Sequence, residues 1–125
     1  MIDSAELSIH AGAAVLERIL AMPPDDRPTA VFCANDLLAI GVVNACVRRG
    51  VAVPDELSVV GYDDISFAET ASVALTTVAQ PGRRLGSEAA RLLFEAERLP
   101  RNATFTPSLR VRASAAARIG SSTVG

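Results

Sequence analysis

At 125 residues the chain has the length of one domain, and half of its residues are hydrophobic. Its charges are mixed in sign and sum to −2, which argues against a nucleic-acid surface with a basic patch or stripe. Every basic residue is arginine, and without lysine a P-loop, Schiff-base catalysis and Ser-x-x-Lys acylation are excluded.

No apolar run approaches the ~18 residues that a membrane helix needs. The opening "MIDSAELSIH" has no basic end followed by an apolar core, so no signal peptide is expected. The expectation is a cytoplasmic chain without membrane contact. Cys33 and Cys46 form no C-x-x-C and have no histidine at zinc spacing, so they read as buried, reduced thiols. His10 is the single histidine. No metal and no cofactor are expected.

A helix is predicted over residues 5–22, with Leu7, Val15, Leu16, Ile19 and Leu20 at helical spacing and Ser4 as cap. Pro23 and Pro24 stop it, and "PPDDRP" is a loop. "TAVFCA" reads as a strand over 29–34 buried on both faces, as in a parallel sheet. The helix "LLAIGVVNACVRRG" follows, with Asn35 or Asp36 as its N-cap and Gly50 just past its end.

"LSVVGY" is a second strand over 57–62. A loop follows over 63–74, with one helical turn near 66–70. "LTTVAQ" is a third strand over 75–80. Pro81 opens a helix to about residue 98, with an apolar stripe of Leu85, Ala89, Leu92, Leu93 and Ala96. "ATFTP" and "SLRVRA" are short strand candidates, and the tail from Ser114 is expected to fray. Alternating strands and helices predict an α/β fold, a parallel sheet flanked by helices.

In such a sheet, ligands bind beyond the carboxyl ends of the strands. Asn35, the doublet Asp63–Asp64, and Gln80 stand at three such ends. None is a strong nucleophile. Together they suit a polyhydroxylated small molecule or a base. As a glycosidase pair the doublet fails, because neighbours in an extended chain point to opposite sides while catalytic carboxyls sit about 5–9.5 Å apart across a substrate. A phosphorylated receiver also uses a lysine that this chain lacks. Turn capping, preferred for Asp64, and ligand binding remain open.

The run "RPTAVFCANDLLAIGVVNACVRRGVAVPDELSVVGYDDISFAETASVALTTVAQP" closely resembles the effector-binding core of lactose-repressor-type (LacI/GalR) transcriptional regulators. The resemblance continues through "GRRLGSEAARLLFEA" and "SLRVRASAA" and spans about residues 7–116. It implies a non-enzymatic, two-lobed, periplasmic-binding-protein-like (type I) sensor in which a small effector shifts an open–closed equilibrium. Residues 1–74 would belong to the C-terminal lobe and 75–80 to a crossover. Residues 81–107 would be elements of the N-terminal lobe, 108–116 a return crossover, and 117–125 a flexible tail.

By the same resemblance, Asn35, Asp63 and Gln80 bind the ligand, while Asp36 and Asp64 are read as structural caps. Dimerisation of relatives through this lobe points to Ile40, Asn44, Phe67 and Ala71 and to a homodimeric parent. The family's helix-turn-helix headpiece and most of the N-terminal lobe are missing from these residues, so DNA contact would need a headpiece outside them. Leu7 stands where many relatives place a pocket aromatic, which tilts the expected effector from a flat base to a sugar. A stripe around Leu85, Leu92 and Leu93 without its usual cover predicts a chain that is marginally stable or self-associates. The alternatives are a periplasmic-type sugar-binding protein and an α/β enzyme with an acid site at Asp63.

Overall fold

The computed structural model describes residues 1–4, 6–94 and 102–117. Its elements in order are α1 (Ile9–Leu20), a 3-10 turn (Pro24–Asp26), β1 (Ala30–Phe32), α2 (Asp36–Arg49), β2 (Ser58–Asp63), β3 (Thr76–Ala79), α3 (Gly82–Phe94) and β4 (Ser108–Arg110). The sheet runs β1-β2-β3-β4, with the first three strands parallel and β4 antiparallel to β3. The α/β expectation therefore stands, with one antiparallel strand at the edge.

α1 begins four residues later than its apolar spacing suggested. Ser8, not Ser4, caps it by accepting a hydrogen bond from the Ala11 N–H at 3.2 Å. Ser4 instead spends its hydroxyl on the Glu6 carbonyl. α2 starts at its Asn35 cap and ends at Gly50, whose φ of +70° lets its N–H turn back to the Cys46 and Val47 carbonyls. The segment 66–70 is a turn and not a helix, and 103–107 form no strand. The predicted helix past Phe94, Ala96 included, and the tail from residue 118 lie outside the described residues.

α1 packs on α2, and α2 packs on β2. The two helices approach so closely that a Cβ on Gly41 would stand 2.1 Å from the Ile9 carbonyl oxygen, and one on Gly12 2.3 Å from that of Leu38. Leu16, Ile19, Val42, Val43, Cys46, Val59 and Leu75 make the core beneath this crossing. Strand alternation places Val31 and Val59 on the covered face. Phe32 and Val60, paired in register, lie on the other face, where Phe32 is 64% exposed. The reading of β1 as buried on both faces is thus corrected, because no described helix covers the second face.

α3 is amphipathic in sequence yet buries no residue. Leu85, Leu93 and Phe94 are exposed, Phe94 at 86%. Each large apolar side chain left in water forgoes about 1.5–3 kcal/mol. Sedimentation is expected to show concentration-dependent association, suppressed in Leu93→Ser/Phe94→Ser. A monomer at high concentration would remove that expectation. Among the described residues, no helix is long and apolar enough to cross a membrane.

Cys33 and Cys46 are buried free thiols. Burial, with the Asp36 carboxylate adding to it, pushes the Cys33 thiol up from 9.0 to about 12, and burial also raises Cys46. The unfolded thiol ionises first, so the folded state loses stability as pH rises from 9.0 towards 12. Urea midpoints at pH 8 and pH 10 should therefore differ less in Cys33→Ala than in the parent chain.

Candidate ligand-binding edge

Because β1, β2 and β3 are parallel neighbours, their carboxyl ends form one edge. Asn35 follows β1, Asp63 ends β2 and Gln80 follows β3. The structure brings two of these together: the Gln80 side-chain amide donates to Asp63 Oδ1 at 2.7 Å. This pair is exposed. An anionic acceptor and an amide held side by side match vicinal hydroxyls, which both donate and accept.

Asn35 is committed within the chain. Its Oδ1 accepts from the Leu38 N–H at 2.9 Å as the cap of α2, and its Nδ2 donates to the Leu7 carbonyl at 3.2 Å. One amide hydrogen remains for a ligand. Leu7 thereby borders the edge, with an exposed aliphatic side chain.

The two residues read as caps have other roles. Asp36 is the first residue of α2 and is fully buried. Its carboxylate accepts from the Thr77 hydroxyl and, at 2.9 Å, from the Ile65 N–H. It therefore braces β3 and the loop after β2, while Asn35 caps the helix. The charge sits at the positive end of the α2 dipole. Gly61 makes room for it: a Cβ there would stand 2.2 Å from Asp36 Oδ1.

Asp64 is an ion-pair partner and not a turn cap. Arg112 Nη2 lies 2.8 Å from its Oδ1, and Arg110 Nε lies 3.7 Å from its Oδ2. Arg112 also donates through Nη1 to the Leu75 carbonyl at 2.9 Å. The backbone beyond β4 is stitched to the sheet through Ser114, whose hydroxyl donates to the Val59 carbonyl at 2.6 Å and accepts from the Thr76 N–H at 2.8 Å. Arg112 and Ser114 fall within the stretch "SLRVRASAA" that carries the resemblance, but their roles are not legible there, because their partners lie 36 to 55 residues away.

A cleft of about 240 Å³ on the same edge is lined by Tyr62, Gln80, Pro81, Leu85, Thr104 and Phe105, among others. Gln80 lines it, whereas Asp63 and Asn35 do not. Of the residues read as a dimer surface, Phe67 is exposed, Ala71 is half-buried, and Asn44 accepts from the Ser72 hydroxyl at 3.3 Å. Ile40 is a correction: at 7% exposure it belongs to the core and has little surface to offer a partner.

Residues 2–119 match the periplasmic binding protein-like domain. Over 84 residues the chain is 46% identical to the HTH-type transcriptional repressor PurR of Mannheimia succiniciproducens, covering 67% of this chain and 25% of that protein. A LacI family transcriptional regulator from Lactobacillus casei, solved with bound glucose, aligns with a TM-score of 0.74 at 35% identity, covering 86% of this chain and 40% of that one. The Enterococcus faecium LacI family regulator, solved with bound ribose, aligns with a TM-score of 0.78 at 31% identity, covering 87% and 41%. The match thus spans about a quarter of the curated relative and two fifths of the solved chains.

Proposed function

Since the chain belongs to the periplasmic binding protein-like domain family and is similar to LacI-type regulators, we propose that it is part of a regulator's effector-binding domain and takes a sugar or sugar derivative at Asp63, Gln80 and Asn35. The observation that carries this is the Asp63–Gln80 pair, exposed on the carboxyl edge of the parallel strands. The carboxylate would accept from ligand hydroxyls and Gln80 would donate to them. The remaining hydrogen of Asn35 would add a third contact. The roles are binding roles, because the edge offers no activated nucleophile.

The sensor would act by binding its effector with different affinity in open and closed lobe arrangements, the only way a ligand can shift such an equilibrium. Residues 75–80 and 108–116 would be the crossovers between lobes, and 81–107 would belong to the second lobe. DNA would be contacted in the cytoplasm through a headpiece outside these residues, by a homodimer using the surface around Phe67, Ala71 and Asn44. A sugar is favoured at Asp63 and Asn35 because Leu7, bonded to Asn35 through its carbonyl, offers no aromatic face for stacking, while the rings of Tyr62 and Phe105 line the separate cleft at Gln80.

Thermal shifts with ribose, glucose, sucrose, adenine, guanine and hypoxanthine test this reading. A sugar is expected to raise the melting temperature, since a ligand that binds only the folded state stabilises it by mass action. Stabilisation by a purine base and by none of the sugars would replace the sugar reading.

A further inference from the structure

The ligand reading leaves unexplained how Asp63 comes to face Gln80. Asp63 closes the β2–β3 ladder opposite Ala79, yet its φ is +112°. That value lies beyond the small left-handed basin that aspartate and asparagine tolerate. Asp64 follows at φ +52°, inside that basin. Such a backbone persists only where its surroundings impose it, and it concentrates at functional sites.

The restraint after Asp63 has three parts. The Asp64 N–H meets the Thr77 hydroxyl at 3.4 Å, and the Ile65 N–H meets buried Asp36 at 2.9 Å. The Asp64 carboxylate is drawn to Arg112 at 2.8 Å. Arg112 is fixed in turn, its Nη1 on the Leu75 carbonyl and its backbone N–H on the Thr76 hydroxyl, each at 2.9 Å. The two acids of the doublet therefore tether different segments: Asp63 the residue after β3, and Asp64 the segment after β4.

We propose that Asp64 is a positioning residue for the site: clamped by Arg112, it holds the reversed backbone that delivers the Asp63 carboxylate to Gln80. This rests on the reading of Asp63 as the ligand's carboxylate. It adds that Arg112, on the far crossover, sets the orientation of that carboxylate without touching the ligand. Arg112 and Asp64 are only 20% and 22% exposed, and the effect of their pair on the site is read in the geometry of its neighbour.

Gln80 is the only glutamine in the chain, so selective glutamine labelling tells its side-chain amide apart from those of Asn35, Asn44 and Asn102 in a nitrogen-15 correlation spectrum. The test compares the whole chain with Asp64→Gly, Arg112→Ala and Arg112→Lys, with no ligand present. Glycine adopts φ +52° freely, so Asp64→Gly removes the clamp without adding backbone strain. In Asp64→Gly and Arg112→Ala the Gln80 amide should move towards free-amide shifts and exchange roughly tenfold faster. Core amides such as Val42 and Val59 should stay in place, and Arg112→Lys should recover part of the effect. An unmoved Gln80 signal in either folded variant overturns the proposal. Failure of both variants to fold also overturns it, because the pair would then belong to the fold and not to Asp63. The readout needs no effector, so a failed sugar panel leaves it untouched and removes only the ligand reading.

Discussion

Asp36→Ala should be the most destabilising single substitution on the ligand edge, costing about 2–4 kcal/mol. The loss has two sources. Removing the carboxylate strips the buried Thr77 hydroxyl and the half-buried Ile65 N–H of their acceptor. It also opens a cavity between α2 and Gly61. Total stability of a small domain is only about 5–15 kcal/mol, so such a loss moves the urea midpoint far. Gly61→Ala should produce a similar lesion from the other side, since its methyl would occupy the space of Asp36 Oδ1. Urea melts of both variants at pH 7 give the check. A shift below about 0.5 kcal/mol for Asp36→Ala, the range of an ordinary surface change, would mean that the buried carboxylate holds nothing in place.

Asp63→Asn should behave in the opposite way, with binding lost and stability kept. Asparagine tolerates positive φ at least as well as aspartate and keeps the shape of the side chain. It removes the charge that strengthens hydrogen bonds to ligand hydroxyls, bonds worth about 1.5–3 kcal/mol each. Affinity for the most stabilising sugar should therefore fall roughly 10- to 100-fold by calorimetry. Because Asp63 is exposed, the unfolding free energy from urea melts should change by less than about 0.5 kcal/mol. Full affinity in this variant would take Asp63 out of the site. Asp64→Gly should weaken the same binding less, since its carboxylate acts through its neighbour.

Much of this architecture could be read in local patterns. Apolar spacing located α2 and α3. The glycine after Arg49 located the end of α2, and the β-branched runs located β2 and β3. Asp63 and Gln80, placed apart by 17 residues, were both read as strand-end polar groups and meet at 2.7 Å. Ser8 against Ser4 was the local error. Both serines can cap, and the choice depends on where α1 must start to bring Gly12 onto Gly41. β1 was read as buried because composition reports an apolar strand but not how many of its faces are covered.

The amino-acid order alone determined the alternation of strands and helices, and with it which side chains reach the carboxyl edge. Those outcomes follow from periodicity and turn chemistry, which act over a few residues. Only the tertiary structure decided what the three acids do. Asp36 is buried because Gly61 leaves it space, Asp64 is paired because Arg112 returns 48 residues later, and Asp63 is turned outward between them. Side chains of one type become a buried brace, an ion-pair partner and an outward-facing hydrogen-bond acceptor through partners distant in the chain, and no local pattern encodes those partners.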